Sequence, residues 1–361
     1  MKVTMLAHTT PQSGVAGISM GISKFMYNIA LELIKKKHEV GLLVRNDYRP
    51  DEDWIKTVNS PKISWFFYPF FLGRMIGDME SDVYHADYVT TGAPLVSKNK
   101  RPNVVSLHDV IPFTYDQKDL SVMDRIRVIW YIRNVKKIEK ADAVTVLSEH
   151  ARNEALKYTA IPKENLHVVY AGVDLDRHFP LKKRPHKKIR IGYLGGLDGR
   201  KNVGLLVSSF KRIVETRNDV ELHVGGGGEN LEVFKAMNIK NATFYGKIAE
   251  NQKNVFLNSL DIFVFPSLME GFGLPPLEAM ACGVPVVASD ASSIPEVVGD
   301  GGLLSKPTED AMVKSITRLL DNPSLRKRMA RRGLDNARTF TWKRCAEQAL
   351  EVYEAVGAGR A

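Results

Sequence analysis

"KIRIGYLGGLDGRKNVGLLVSSFKRIVE", residues 188–215, opens as an apolar, β-favouring run, breaks at a pair of glycines and resumes with apolar residues at helical spacing. Strand, glycine turn and helix in that order make the first unit of an α/β fold. The same unit stands at the amino end. There "KVTMLAH" (Lys2–His8) leads through a glycine-bearing loop into "GISKFMYNIALELIKKKHEV", where Ile22, Phe25, Met26, Ile29, Leu33 and Ile34 recur at helical spacing. The pattern therefore starts twice.

Each start is followed by short apolar strands alternating with helical segments. "SDVYHAD", "NVVSLHD", "DAVTVLS" and "NLHVVYAGVD" follow the first, and "VELHVGGGG", "NATFYG", "DIFVFPS" and "VPVVASD" the second. This is the signature of a parallel sheet covered on both faces. The basic, proline-bearing "RHFPLKKRPHKK" between them reads as a linker. The expected organisation is a Rossmann-like domain over residues 1–180, a second over 181–340, and a last helix over 341–361 packing back toward the first. The stretch from Pro323 is expected to form two helices, broken near Gly333 and Thr339–Thr341. Open α/β sheets bind ligands at the carboxyl ends of their strands, so two such domains facing across a cleft would share a site there.

The composition agrees with two soluble domains: 361 residues, 44% hydrophobic and 25% charged. No segment approaches the roughly 18 unbroken apolar residues of a spanning helix. The start turns polar too early for the apolar region of a signal peptide and reads as a first strand. Cys282 and Cys345 lack metal or disulfide spacing, which fits a reducing cytoplasm. A formal net charge of +10 favours acidic partners, among them nucleotides, phosphates and anionic lipid.

"MEGFGLPPLEAMACGVPVVAS" (Met269–Ser289) holds Glu270 and Glu278 on either side of Gly-Phe-Gly and a Pro-Pro pair. Gly271 and Gly273 let a backbone approach a ligand closely. Pro275 and Pro276 suit the start of a helix, which puts Glu278 in its first turn, near the positive end of the dipole. A carboxylate can grip two vicinal hydroxyls, and the N–H groups of such a turn attract an anion. Two carboxylates and a row of donors thus converge on one small polar ligand.

This stretch resembles the E-x7-E region of glycosyltransferase family 4, retaining sugar-nucleotide enzymes of the GT-B fold. "GISKFMYNIALEL", "DVYHAD", "LHDVIP", "ADAVTVLSEHA", "VVYAGVD", "YLGGLDGRKN", "PEVVGDGGLL" and "FTW" agree with the family in order, so the resemblance covers essentially the whole chain. It implies a donor that is a UDP- or GDP-sugar, an acceptor that is a glycan, polysaccharide or glycolipid, no obligatory metal or other cofactor, and no nucleic acid. It further implies that Glu278 holds the ribose, Glu270 contacts the donor sugar, and the backbone of Phe272, Gly273 and Leu274 meets sugar and phosphate. Arg200 and Lys201 would bind the diphosphate, Lys247 would line the base, and His108 and Gly21 would close the site from the amino-terminal domain. Gly196 stands where many members carry arginine, so Arg200 takes that role from further along the turn. Ala171 stands where asparagine is common.

Other readings fit less of the chain. Ser267–Glu270 could be a capping box, but no apolar helix follows directly. Gly271-Phe-Gly273 imitates a dinucleotide fingerprint, with Pro276 in place of the third glycine. Asp174-Leu-Asp176 resembles a metal-binding DxD, and "GISMGISK" lacks P-loop spacing. An epimerase or phosphorylase on the same fold is the alternative enzyme, and a polyanion-binding adaptor the non-enzymatic one. "WFFYPFFL" (Trp65–Leu72) reads as buried strand and helix or as a membrane contact. The basic amphipathic segment Asp124–Lys140 reads as a surface helix or as a peripheral attachment to anionic lipid at the inner face of the cell membrane.

Overall fold

The computed structural model describes residues 1–7, 20–45, 54–58, 72, 76, 80–98, 100, 102–116, 118, 120–182, 186–228 and 230–358. Trp65–Phe71 and the first three residues of "GISMGISK", 17–19, lie outside the described residues. The chain forms two units, one of residues 1–172 with 342–361 and one of 173–341.

The first unit is built on a seven-stranded parallel sheet of β1 (Lys2–Leu6), β2 (Glu39–Arg45), β3 (Ile55–Val58), β4 (Val83–Ala86), β5 (Asn103–Ser106), β6 (Ala143–Val146) and β7 (Leu166–Val168). The strand order is β3-β2-β1-β4-β5-β6-β7, doubly wound with its switch point between β1 and β4. Helix α1 (Met20–Lys35) buries Phe25, Met26, Ile29 and Leu33, the face marked by the helical spacing. Helices α2 (Val89–Ser97), α3 (Val122–Ile138) and α4 (Glu149–Tyr158) follow. Ser121 and Ser148 cap α3 and α4, their Oγ atoms accepting from the N–H groups of Asp124 (3.2 Å) and Ala151 (3.0 Å).

The second unit carries a six-stranded parallel sheet of β8 (Ile189–Leu194), β9 (Val220–Gly225), β10 (Ala242–Gly246), β11 (Ile262–Phe265), β12 (Val286–Ser289) and β13 (Gly302–Ser305), in the order β10-β9-β8-β11-β12-β13. Its helices are α5 (Val203–Thr216), α6 (Leu231–Ala236), α7 (Glu250–Asn258), α8 (Leu274–Ala281), α9 (Ile294–Val298), α10 (Glu309–Leu320) and α11 (Pro323–Ala337). Gly333 does not break α11, contrary to the sequence expectation. It is buried, and a Cβ there would meet Met280 at 3.1 Å and the Gly301 carbonyl at 3.3 Å, so its small size serves close packing. The interruption falls at Arg338–Thr341.

The divide between the units falls at Gly172 and Val173, ahead of the basic linker segment. Residues 173–182 are tied to the second unit. The Phe179 N–H donates to Asn254 Oδ1 (3.2 Å), that of Leu181 to Asn258 Oδ1 (2.7 Å), and that of Val173 to the Phe340 carbonyl (2.9 Å).

The last helix, α12 (Trp342–Ala358), belongs to the first unit. Tyr353 on α12 is fully buried and its hydroxyl lies 2.5 Å from His85 Nδ1, while His85 Nε2 is 2.9 Å from Ser106 Oγ. Burial lowers the His85 pKa to about 3, because the charged imidazole would lose its hydration inside the sheet. The unfolded chain, whose histidines titrate near 6.5, takes up a proton that the folded chain refuses. The stabilisation from keeping His85 neutral is therefore whole above about pH 6.5 and is lost as the pH falls toward 3. Urea titrations across that range should show stability dropping steeply with acid, and His85→Gln should flatten the dependence. An unchanged slope would show that His85 is not the group responsible.

Candidate functional site

Three loops meet where the second sheet reverses its strand order. After β8 the chain turns through Gly195 and Gly196. The Tyr193 hydroxyl donates to the Gly196 carbonyl at 2.6 Å, and the Gly195 and Leu197 N–H groups donate to the carbonyls of Gly225 and Gly227. A Cβ on Gly226 would fall 1.8 Å from the Gly195 carbonyl oxygen, so the loops after β8 and β9 touch backbone to backbone. The turn Gly199–Lys201 then brings two cations to the start of α5. Asn202 closes it at φ 52°, a left-handed conformation that asparagine tolerates better than most residues.

The loop after β11 lies against this turn. The Leu268 N–H donates to the Arg200 carbonyl at 2.9 Å, and the side chains converge on one carboxylate. Lys201 Nζ is 2.5 Å from Glu270 Oε1, Arg200 Nη1 is 3.3 Å from Glu270 Oε2, and Ser267 Oγ donates to Oε1 at 2.7 Å. Lys201 and Glu270 are each 9% exposed, and Lys201 Nζ sits 5.6 Å from the centre of the Phe265 ring. Arg200 also donates to the Met269 carbonyl at 3.1 Å and approaches Asp198 at 3.2 Å. The Ser267–Glu270 spacing thus yields a side-chain contact rather than a capping box.

A third loop, after β12, fixes the backbone of this carboxylate. Ser292 Oγ accepts from the Glu270 N–H (3.1 Å) and donates to its carbonyl (2.8 Å). Ser293 Oγ donates to the carbonyls of Glu270 (2.8 Å) and Phe272 (2.9 Å). Ser292 stands at φ 56°, an uncommon conformation for serine held in place by these bonds. Neither serine was singled out in the sequence, since the contact spans more than twenty residues and no spacing rule announces it. The Phe272 side chain is buried and meets Phe340 edge-on at 5.8 Å. Gly273 adopts φ 116° with no atom within 4 Å of where a Cβ would sit, so the backbone there faces open space in a conformation suited to glycine.

Helix α8 begins at Leu274, earlier than the prolines suggest, and this moves Glu278 beyond its first turn. The helix dipole acts less on this carboxylate than the sequence suggests, because that field fades within a turn. Pro275 and Pro276 also lack N–H groups, leaving Leu274 and Leu277 as the donors of the first turn. Glu278 instead lies between two side chains: Lys253 Nζ is 3.9 Å from Oε2, and His178 Nε2 is 3.9 Å from Oε1, with Glu278 only 5% exposed. Lys253 and His178 were likewise missed, lying on α7 and at the start of the basic linker segment. Lys247 follows β10 and is exposed, and Gly196 occupies the turn after β8. Asp174, of the DxD-like pair, acts as a turn stop. Its Oδ1 accepts from the N–H groups of Asp176 and Arg177, and its Oδ2 pairs with Arg177 at 3.2 Å.

Gly21 and His108 belong to the first unit. Gly21 lies in the first turn of α1. His108 follows β5, is buried, and donates from Nε2 to the Asp87 carbonyl at 2.7 Å, which makes Nδ1 the acceptor nitrogen of the ring. Phe25 and Tyr88 flank it at 5.5 and 6.2 Å, and burial holds its pKa below the usual histidine value, so the imidazole is neutral.

The family model described as "Glycosyl transferases group 1" matches residues 175–335, and that described as "Glycosyltransferase Family 4" matches residues 20–177. The "O-antigen chain mannosyltransferase B" of Escherichia coli is 28% identical over 290 residues, covering 75% of this chain and 75% of that protein. The "MMP alpha-(1->4)-mannosyltransferase" of Mycolicibacterium hassiacum is 30% identical over 293 residues, covering 76% and 70%. Among solved structures, the sucrose-phosphate synthase of Thermosynechococcus elongatus superposes with a TM-score of 0.82 at 19% identity, over 99% of this chain and 100% of that one.

Proposed function

Because the chain belongs to glycosyltransferase family 4 and is a glycosyltransferase of the GT-B fold, we propose that it moves a hexose, with retained anomeric configuration, from a UDP- or GDP-sugar to a hydroxyl of a glycan or lipid-linked acceptor. The observation that carries this reading is the convergence of Arg200, Lys201 and Glu270 at the switch point of the second sheet. Both relatives bear mannosyltransferase names, which favours mannose among the hexoses.

Breaking the anomeric bond leaves negative charge on a diphosphate. Preorganised cations at that position lower the barrier without reorganising water, and Lys201 and Arg200 supply them. The acceptor hydroxyl attacks from the face the diphosphate leaves and gives its proton to the departing phosphate oxygen. No side-chain nucleophile enters that scheme. Glu270 positions the sugar, Glu278 grips the ribose, and the backbone of Phe272, Gly273 and Leu274 lies along sugar and phosphate. Lys247 and Gly196 border the nucleotide, while the neutral His108 ring and Gly21 serve the first unit's side of the reaction. Product made from an α-linked donor and read by the one-bond carbon–proton coupling at the anomeric centre in NMR should keep the α configuration. An inverted product would contradict the scheme.

Two further results follow. Glu278→Ala removes the ribose contact, worth about 1.5–3 kcal/mol for a charged hydrogen bond, and should raise the donor KM by about ten- to a hundredfold with a smaller change in kcat. A dominant fall in kcat would assign Glu278 to the chemical step. Since two cations neutralise the leaving diphosphate, EDTA should leave turnover unchanged. Activity lost in EDTA and restored by a divalent ion would overturn metal independence. The site of action we propose is cytoplasmic, at the inner face of the membrane. Among the described residues, no helix is long and apolar enough to cross a bilayer.

A further inference from the structure

Helix α3 (Val122–Ile138) presents an apolar face to solvent. Its inner face buries Val128, Tyr131, Val135 and Ile138 in the core of the first unit. On the opposite side, Val122, Met123, Ile126 and Ile129 are 73, 60, 48 and 41% exposed. Positions 122, 126 and 129 stand one above another at helical spacing, with Met123 beside them. Scattered exposed apolar residues need no explanation, but four on one face of one helix do.

The charges on this helix are equally one-sided. It carries Arg125, Arg127, Arg133, Lys136 and Lys137 against a single acid, Asp124. Asp124 is already engaged, pairing with Arg127 at 2.8 Å and accepting from the Ser121 hydroxyl at 2.6 Å. The exposed apolar residues occupy the first two turns, and Arg133, Lys136 and Lys137 stand exposed in the turns that follow. From this we infer that α3 is a docking surface for an anionic lipid bilayer, with Val122, Met123, Ile126 and Ile129 entering the interface and the arginines and lysines meeting the headgroups.

Charge complementarity selects a bilayer. Cations border the apolar patch with no unengaged acid on the helix to set a register, which suits a fluid, uniformly negative surface better than a shaped protein groove. The helix is also anchored firmly enough to carry a load. The Tyr131 hydroxyl donates to the Asp109 carbonyl at 2.6 Å, and the Tyr88 ring lies tilted against Tyr131 at 5.9 Å and stacked on His108 at 6.2 Å. The face that would meet lipid and the histidine expected to serve the reaction are thus two sides of one packed block. The link to catalysis rests on the proposed lipid-linked acceptor, whereas the docking itself does not.

Sedimentation of the full chain with vesicles, without donor or acceptor, tests the docking alone. With phosphatidylcholine vesicles containing phosphatidylglycerol the protein should sediment at low salt. Its apparent affinity should fall by about tenfold or more in high salt, or on phosphatidylcholine alone. Val122→Asp with Ile126→Asp should weaken binding by about a hundredfold at an unchanged melting temperature. Met123→Ser with Ile129→Ser should weaken it in the same direction, which guards against misfolding in the first pair. Lys136→Ser with Lys137→Ser should cost about tenfold and remove most of the salt dependence. A wild-type chain that stays in the supernatant, sediments equally with both vesicle types, or is matched by both apolar variants would overturn the docking. Each of these outcomes would leave the transferase reading standing.

Discussion

Lys201→Ala is expected to lower kcat by about a hundred- to a thousandfold while changing the donor KM only a few-fold, the range seen when one preorganised donor to a developing negative charge is removed. The geometry gives the reason. Lys201 is 9% exposed, so its ammonium acts in a poorly hydrated place where a charge counts for more than in water. It sits at the switch point, 2.5 Å from Glu270, and charge builds on the diphosphate only as the anomeric bond breaks. Binding the intact donor uses many contacts, but stabilising the leaving group uses few. Lys201→Arg should recover only part of the loss, because a planar fork does not replace a compact point charge. Steady-state kinetics of the two variants, with a melting curve as control, provides the check. A loss shared equally between kcat and KM would remove the clamp from the mechanism.

Glu270→Gln should separate two effects of opposite sign. The Glu270 carboxylate receives Lys201, Arg200 and Ser267, so the cations we propose for the diphosphate are paired with a neighbouring side chain. Glutamine keeps the shape but drops the charge. Transfer should fall by about a hundredfold, because the sugar loses a charged partner and Lys201 loses the group that aims it. The nucleoside diphosphate product should meanwhile inhibit about tenfold more tightly, since two cations are released to bind it. Unchanged or weaker product inhibition would mean that Glu270 does not restrain the cations.

The parts of the fold that repeat locally were readable in the chain. Residues 188–215 form a strand, turn and helix because an alternating apolar run, two glycines and a helical spacing each require it, and β1 with α1 follow the same logic. Both sheets take the doubly wound order that such alternation implies. Boundaries were harder. Pro275 and Pro276 suggested where α8 begins, yet the helix accommodates both and starts at Leu274, moving Glu278 out of the first turn. Gly333 looked like a break because glycine weakens a helix, but the packing of α11 against Met280 favours its small size.

The site was legible as a set of residues and not as an arrangement. Arg200, Lys201 and Glu270 could be named from the stretches that carry them. Their direct pairing could not, since it joins residues about seventy positions apart. Ser292 and Ser293 orient Glu270 through contacts of similar kind, and Tyr353 reaches His85 from the far end of the chain. Long-range hydrogen bonds between short polar side chains leave no periodic mark, so serines that fix an active loop read in sequence like serines in any turn.

The most direct measurement is the structure of the protein crystallised with an unreactive sugar nucleotide. The diphosphate should lie against Arg200 and Lys201, the pentose hydroxyls on Glu278 and the hexose beside Glu270. A nucleotide bound elsewhere, with Lys201 and Glu270 still joined to each other, would contradict the account.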